Sequence, residues 1–340
     1  MNVLVSTVQG LMKANFYIVC PPPVTTTTTT GGYVFAGYSG YPGRVDKISP
    51  STMTIVKTFK APLGHNFVKS LTSLSGYIFA GYNFYFAFVD KINPSTMSLV
   101  KTFTPPSGHH YVRSLTSLSG YVFAGYSTNP GRVDKISPST MTLVKTFTAP
   151  RGHNQVWALT SLSGYVFAGY GTSPGYVDKI SPSTMSLVKT FIALSWHDNV
   201  RVLTTLSGYI FAGYYSTPGY VDKINPSTMS LVKTFTPFSG HNHVKSLTTL
   251  SGYLFAGYDT DPGYVDKISP SNMSLVKTYT PFSGHHYVNA LTSLSGYVFA
   301  GYGALPGLVD KINPSTMTLV KTFTAPSGRG FLTSLISLAI

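Results

Sequence analysis

The chain has 340 residues and a formal net charge of +14, and 43% of its residues are hydrophobic, 14% aromatic and only 10% charged. All acidic residues are aspartates, which leaves few carboxylate pairs for acid-base catalysis, and a single cysteine, Cys20, excludes an intramolecular disulfide framework. No run of residues reaches the roughly 18 apolar positions that a transmembrane helix needs.

Residues 1–31 are predicted to form an N-terminal β-rich arm and a linker. Two apolar runs, residues 2–8 and 15–20, have the composition of β-strands, and Pro21-Pro22-Pro23 with the threonines that follow favours an extended backbone. An apolar strand on a stiff tether can add itself to the sheet edge of a neighbouring subunit. The residues predicted to make this contact are Val3, Leu4, Val5, Phe16, Tyr17, Ile18 and Val19.

The same segment fits two alternatives. Residues 2–4 and 11–13 align with residues 46–48 and 55–57 of the first regular unit, which is the pattern expected of a decayed half blade. The other alternative is a processed leader, although the segment lacks a basic start and Lys13 interrupts its apolar stretch.

From residue 32 onward the chain consists of near-identical units of 44 residues. The peptide Gly-Tyr-Val-Phe-Ala-Gly-Tyr begins at Gly32 and returns every 44 residues, with Val, Ile or Leu at its third position. Each copy is followed at constant distance by Val-Asp-Lys-Ile, a Pro-Ser turn, Val-Lys-Thr-Phe and a segment resembling Ser-Leu-Thr-Ser-Leu. A period of about 40 to 50 residues filled with short β-rich segments indicates propeller blades.

Each unit predicts four strands and no helix, so the fold class is all-β. In the first unit the predicted strands are residues 33–38, 44–48, 54–59 and 68–74, which are rich in aromatic and β-branched residues or alternate apolar with polar residues. Turns that contain proline, glycine or serine separate these segments.

The end of the repeat predicts a closed ring. Seven units counted from Gly32 end at Ala339, so the final strand-like segment, residues 331–340, has no following partner strand. In a ring this segment pairs with the strand at Tyr33, which removes the exposed sheet edge. We therefore predict a single closed seven-bladed β-propeller over residues 32–340, with eight blades as the alternative if a half blade precedes it.

The unit resembles the YVTN type of β-propeller repeat, which occurs in surface-layer and secreted proteins. Tyr-Val-Phe-Ala-Gly stands where that family has its Tyr-Val-Thr-Asn strand, and the Val-Asp-Lys-Ile to Val-Lys-Thr-Phe region resembles its Val-Ile-Asp segment. The resemblance implies a propeller at the cell surface or outside the cell, and no catalytic set. The chain departs from the family by using Ser-Gly where an Asp-Gly turn is expected.

Histidines recur at one position of successive units, on the loop before the innermost strand. A metal site is one hypothesis for this ring, because imidazole ligates zinc and copper. The favoured interpretation is a turn histidine that bonds local backbone, since no carboxylate or cysteine stands at ligand spacing, and no metal or other cofactor is predicted. These candidate residues are His65, His109, His153, His197, His241 and His285, with Arg329 at the seventh position.

Tyrosines that end the first repeated peptide lie next to a loop of variable sequence. Their rings could stack on sugars, whereas tyrosines in strands more often pack in the core with the hydroxyl at its edge. The residues concerned are Tyr38, Tyr82, Tyr126, Tyr170, Tyr214, Tyr258 and Tyr302. The variable loops are expected on one face, where their variation indicates either ligand contact or drift.

The lysines of Val-Asp-Lys-Ile and Val-Lys-Thr-Phe give each unit a regular positive charge. We expect Asp46 and its copies to pair with some of these lysines and the other lysines to be solvated at the rim. Nucleic acid is therefore not the expected partner. Catalysis is not expected either, because all loops keep one length and no nucleophile elbow or phosphate loop occurs.

The sequence therefore predicts a non-enzymatic structural or interaction propeller that is extracellular or at the cell surface, although no clear signal peptide is seen. Its expected partner is itself, in a homo-oligomer, filament or surface array joined through the N-terminal arm, and no membrane span is expected. A multivalent lectin that binds glycans through the variable face is the first alternative, and a metal-binding histidine ring is the second.

Overall fold

The computed structural model describes residues 31–339, which form seven four-stranded antiparallel sheets arranged in a ring. The protein is thus a seven-bladed β-propeller, as the 44-residue period predicts, and the eight-bladed alternative is wrong. Residues 1–30 and Ile340 lie outside the described residues, and so do the predicted arm residues and the half-blade and leader alternatives. No helix among the described residues has the length and apolar character needed to cross a membrane.

Every blade has the same strand order from the centre outward. The innermost strands are β4 (Val68–Leu74), β8 (Val112–Leu118), β12 (Val156–Leu162), β16 (Val200–Leu206), β20 (Val244–Leu250), β24 (Val288–Leu294) and β28 (Leu332–Ala339). The next strands are β1 (Gly32–Tyr38), β5 (Tyr77–Tyr82), β9 (Tyr121–Tyr126), β13 (Tyr165–Tyr170), β17 (Tyr209–Tyr214), β21 (Tyr253–Tyr258) and β25 (Tyr297–Tyr302).

Two further strands complete each blade. The third strands are β2 (Arg44–Ser49), β6 (Val89–Asn93), β10 (Arg132–Ser137), β14 (Tyr176–Ser181), β18 (Val221–Asn225), β22 (Val265–Ser269) and β26 (Leu308–Asn313). The outermost strands are β3 (Thr54–Lys60), β7 (Ser98–Phe103), β11 (Thr142–Thr148), β15 (Ser186–Ile192), β19 (Ser230–Phe235), β23 (Ser274–Tyr279) and β27 (Thr318–Thr324). The strands predicted for the first unit match these within one residue at each end.

The ring closes through the C-terminal strand. Strand β28 pairs antiparallel with β1, with Gly32 opposite Ala339 and Tyr33 opposite Leu338. The first blade therefore has the order β28-β1-β2-β3, with three strands from the start of the repeat and its innermost strand from the end. The predicted closure is confirmed.

The hydrophobic cores lie between neighbouring blades. Phe35 of β1, for example, packs with Val68, Ala80 and Tyr82 of the following blade, which explains why both faces of β1 are buried. Gly37 permits this close approach, because a Cβ atom there would lie 2.6 Å from a methyl group of Val68. No blade can bury its own faces alone, so the ring is held together as one unit.

The face opposite the variable loops is joined by a repeated lysine contact. Lys47 Nζ lies 3.8 Å from the centre of the Tyr33 ring and donates a hydrogen bond of 3.1 Å to the carbonyl of Pro94 in the next blade. The same two contacts recur around the ring, up to Lys311, which bonds Pro50 of the first blade. The expectation that Asp46 and its copies pair with these lysines is wrong, because the lysine ammonium groups contact tyrosine rings and proline carbonyls instead.

Candidate functional site

The histidines singled out in the sequence belong to a buried hydrogen-bond network. His65 lies on the connection that enters the second blade, and its Nδ1 atom is 2.9 Å from Asp90 Oδ2 on β6. Tyr82 donates to the same oxygen at 2.8 Å, and Thr102 of β7 donates to Asp90 Oδ1 at 2.6 Å. The network therefore ties the entering loop to three strands of the blade, around a carboxylate that has no solvent exposure.

The aspartate, its threonine donor and a basic side chain recur in every blade, whereas the buried tyrosine donates to the aspartate at Tyr82, Tyr214 and Tyr258. The histidine–aspartate pairs, each at 2.8 or 2.9 Å, are His65–Asp90, His109–Asp134, His153–Asp178, His197–Asp222, His241–Asp266 and His285–Asp310. In the first blade Arg329 takes the place of histidine, and its Nε atom lies 2.8 Å from Asp46 Oδ2. Buried carboxylates that each accept several hydrogen bonds are a means of holding strands in place.

The favoured interpretation, a turn histidine that bonds local backbone, holds for the main chain, since His65 N–H donates to the Pro62 carbonyl. It missed the ring contact, because each Nδ1 faces a carboxylate 25 residues further along the chain. The metal-ring hypothesis is also not supported, because the histidines lie in separate blades, each beside its own aspartate. Among residues 31–339, no group of three or more His, Cys, Asp or Glu side chains is placed to hold a metal ion.

The seven candidate tyrosines are fully buried, so they offer no ring face to a sugar. Their exposed fraction is 0% in every blade. Burial raises the pKa of these phenols well above the usual value, and the nearby aspartate raises it further, as for Tyr82 beside Asp90 and Tyr214 beside Asp222. The core interpretation is confirmed for Tyr38, Tyr82, Tyr126, Tyr170, Tyr214, Tyr258 and Tyr302, and their assignment as ligand contacts is wrong.

The blades differ from one another most clearly at the mouth of the central channel. The channel is lined by the innermost strands, and the second residue of each such strand faces a cavity of about 180 Å³. These seven positions, which we call the channel mouth, hold Lys69, Arg113, Trp157, Arg201, Lys245, Asn289 and Thr333. The residues preceding these positions are valine in six blades and leucine in the seventh, so the neighbouring core position hardly varies.

Some polar side chains of the channel mouth are hydrogen-bonded or ion-paired to one another. Lys245 forms a 2.6 Å ion pair with Asp259 and donates a hydrogen bond of 3.2 Å to Asn289 Oδ1. Asn289 in turn donates to the carbonyl of Leu332 at 2.8 Å. The Asp259 carboxylate also accepts a 2.9 Å hydrogen bond from the Tyr215 hydroxyl. This side of the mouth therefore consists of a connected and nearly neutral set of polar groups.

The remaining cations have no acidic partner. Within residues 31–339, no carboxylate oxygen lies within salt-bridge distance of Lys69, Arg113 or Arg201. The Nε atom of Arg113 is buried and has no hydrogen-bond partner in this part of the chain. Arg201 stacks on the Trp157 ring, with 4.9 Å between its guanidinium carbon and the ring centre. Four cations and one carboxylate thus leave the mouth with a charge of about +3 when Lys69 is protonated.

The pKa of Lys69 is lowered by burial and by the neighbouring positive charges. Desolvation within the channel lowers its pKa to about 7, and repulsion by Arg201, Arg113 and Lys245 acts in the same direction. The pKa values of Arg113, Arg201 and Lys245 are also lowered, in each case mainly by desolvation. These side chains are half-buried and line one cavity, so solvent screens their positive charges less than it would on an open surface.

A second variable position accompanies the channel mouth. It lies 14 residues after each mouth residue, directly after the buried tyrosine, and its side chain fits its partner. A Cβ atom at Gly171 would lie 2.6 Å from the Trp157 indole, and one at Gly303 would lie 2.7 Å from the Asn289 amide. Asp259 pairs with Lys245, and the Arg201 guanidinium carbon lies 5.8 Å from the Tyr215 ring centre. In four of the seven blades, the mouth residue and the residue 14 positions later therefore contact or constrain each other.

Sequence reasoning missed this site, although a signal was present. The innermost segments keep a common Val-x-x-Leu-Thr pattern in six blades, whereas their second residue changes between lysine, arginine, tryptophan and asparagine. The third residue changes only among serine, alanine and valine, so the second residue is the position at which size and charge vary most. The prediction that the variable loops lie on one face is confirmed, and the channel mouth lies on the same face.

Comparison with protein-family models and with curated proteins finds no match to this chain. The likeness to the YVTN-type repeat therefore stays a prediction, and the functional argument depends on the geometry of the channel mouth.

Proposed function

We propose that this protein is a non-catalytic binding propeller that holds an acidic ligand at the mouth of its central channel. The observation that carries the proposal is the group formed by Lys69, Arg113 and Arg201, three cations that share a channel and have no acidic partner among residues 31–339. Unpaired charges in a low-dielectric environment cost free energy. An anion in the channel would offset that cost and accept hydrogen bonds from both arginines.

The placement of the aspartates supports a binding role over a catalytic one. Seven of the ten aspartates accept hydrogen bonds in the buried blade networks. At the channel mouth the one carboxylate, Asp259, is paired with Lys245. No carboxylate there is available to act as a general base, whereas the cations are arranged for electrostatic capture of an anion.

Sulfate is a suitable first probe, because it keeps one charge state over the useful pH range. Isothermal titration of sulfate into the wild-type protein is expected to show one site per chain. The double variant Arg113→Gln/Arg201→Gln is expected to bind at least about tenfold more weakly, since hydrogen bonds to charged groups contribute about 1.5–3 kcal/mol each.

The matched control removes two positive charges elsewhere. Lys145 and Lys189 lie on the exposed outer strands β11 and β15, so the Lys145→Gln/Lys189→Gln variant should bind sulfate as the wild type does. Equal sulfate affinity in all three proteins would contradict the proposal, because it would show that the channel cations do not hold the anion.

Self-assembly is the second candidate function, and the outer strands favour it. Each blade ends in an outermost strand whose apolar side chains are exposed, for example Val100 at 48% and Leu99 at 40% on β7. Such an edge can accept an added strand from another chain. We propose the edge as the receptor for the N-terminal arm in an extracellular filament or array. Electron microscopy of the full-length and arm-deleted proteins tests this, and separate rings in both preparations would contradict it.

A further inference from the structure

We infer that the acidic ligand of the channel mouth is a saccharide, whose anionic group enters the channel while its ring rests on aromatic residues at the rim. This inference rests on the proposed function and goes beyond it, because it names the ligand class. It also places the candidate contacts at residues that differ from the buried tyrosines.

The size of the channel separates the two parts of the ligand. Its cavity of about 180 Å³ is smaller than the roughly 300–1,000 Å³ of pockets that enclose drug-sized ligands. A sulfate, phosphate or carboxylate group fits such a space. A larger ligand that places its anionic group beside the cations also meets the residues that surround the entrance.

Aromatic side chains occupy this rim. The residue two positions before each mouth residue stands at the entrance, and it is aromatic or imidazole in five blades, namely Phe67, Tyr111, His243, Tyr287 and Phe331. Tyr111 is 37% exposed and Tyr287 is 44% exposed, so their ring faces are open to solvent. The Tyr287 ring centre lies 5.5 Å from Lys245 Nζ. An exposed aromatic surface thus adjoins the channel mouth, on the side where Lys245 is paired with Asp259.

Polar groups complete the rim. Gln155 and Asn199 take the entrance position in the two blades that lack a ring there, and Asn199 is half-buried. The Tyr215 ring stacks on His243 with 4.1 Å between ring centres, and its hydroxyl is held by Asp259. Aromatic faces next to amides suit a ligand with both C–H faces and hydroxyl groups. A saccharide has both, and the cations below account for its anionic group.

The test compares glucose 6-phosphate, glucose, inorganic phosphate and adenosine monophosphate by isothermal titration at one pH. We expect glucose 6-phosphate to bind up to about tenfold more tightly than inorganic phosphate, because one aromatic stacking contact contributes about 0.5–1.5 kcal/mol. Glucose alone should bind far more weakly than either phosphate compound, because it cannot engage the channel cations. Adenosine monophosphate should bind no better than inorganic phosphate.

Variants separate the contribution of the rim from that of the channel. Tyr111→Leu/Tyr287→Leu should remove the gain in affinity of glucose 6-phosphate and leave the affinity for inorganic phosphate unchanged. Phe238→Leu is the control, since Phe238 is 67% exposed but lies on an outer loop. Arg113→Gln/Arg201→Gln should weaken both phosphate compounds.

The outcomes distinguish failure of this inference from failure of the proposed function. Equal affinity for glucose 6-phosphate and inorganic phosphate, with no effect of the tyrosine variants, would overturn the saccharide assignment and leave anion binding intact. Tighter binding of adenosine monophosphate than of glucose 6-phosphate would overturn it in favour of a nucleotide. Binding of neither phosphate compound would overturn both.

Discussion

The buried blade networks and the channel mouth differ in how they use the repeat. Each network repeats one solution in every blade, with an aspartate that accepts hydrogen bonds from a threonine and from a histidine or arginine. The channel mouth uses seven positions that are equivalent by the repeat and fills them with five kinds of residue. Symmetry is thus kept where the residues build the frame, and it is broken where cations gather. A binding site for one ligand needs such asymmetry, whereas a frame does not.

The largest expected effect comes from removing the strand that closes the frame. Deletion of residues 332–340 takes away β28, the innermost strand of the first blade, and leaves the edge of β1 and its apolar face uncovered. We expect the protein to lose its cooperative unfolding transition and to aggregate, as measured by circular dichroism and size-exclusion chromatography. A chain that ends at Ala339 is the control. A folded, monodisperse deletion variant would contradict closure through β28.

The second-largest effect on stability is expected from disrupting one buried network. Asp178→Ala leaves His153 and Thr190 without their shared acceptor, and we expect a loss of about 3–5 kcal/mol in the free energy of unfolding. Asp198→Ala is the control, because Asp198 follows His197 on the same face but lies outside the networks. Urea denaturation measures both. Equal stability of the two variants would show that the networks do not hold the blades.

The pH dependence of sulfate binding tests the channel mouth. Lys69 has a pKa of about 7, lowered by desolvation and by repulsion from Arg201, Arg113 and Lys245, and opposed by Asp259. Its charge is present below pH 7 and is lost as the pH rises, so sulfate affinity should fall by up to about tenfold between pH 6 and pH 8. Lys69→Gln should flatten this dependence. A wild-type affinity that rises with pH would contradict the assignment.

The smallest expected effect has a sign opposite to that of the network variant. Arg113→Gln/Arg201→Gln removes repulsion within the channel, and we expect the ligand-free protein to gain about 1 kcal/mol in stability while its sulfate affinity falls. Thermal unfolding without sulfate measures this gain. A loss of several kcal/mol would indicate that the arginines belong to the frame.

Most of the frame could be predicted from the sequence, and most of the site could not. The 44-residue period and its end at Ala339 were sufficient for the fold class, the blade number and the pairing of β28 with β1. The partner of His65 was missed because Asp90 lies 25 residues away on another strand, and in a perfect repeat every constant residue appears equally able to meet every other. The channel mouth was missed because its cations come from four separate strands and converge only in the closed ring.

The most direct test is an anomalous difference map from crystals soaked in tungstate, a heavy-atom analogue of sulfate. The account predicts one strong peak in the channel, within hydrogen-bond distance of Arg113 or Arg201, and loss of that peak in the Arg113→Gln/Arg201→Gln variant. Peaks only at exposed lysines of the outer strands, with none in the channel, would contradict it.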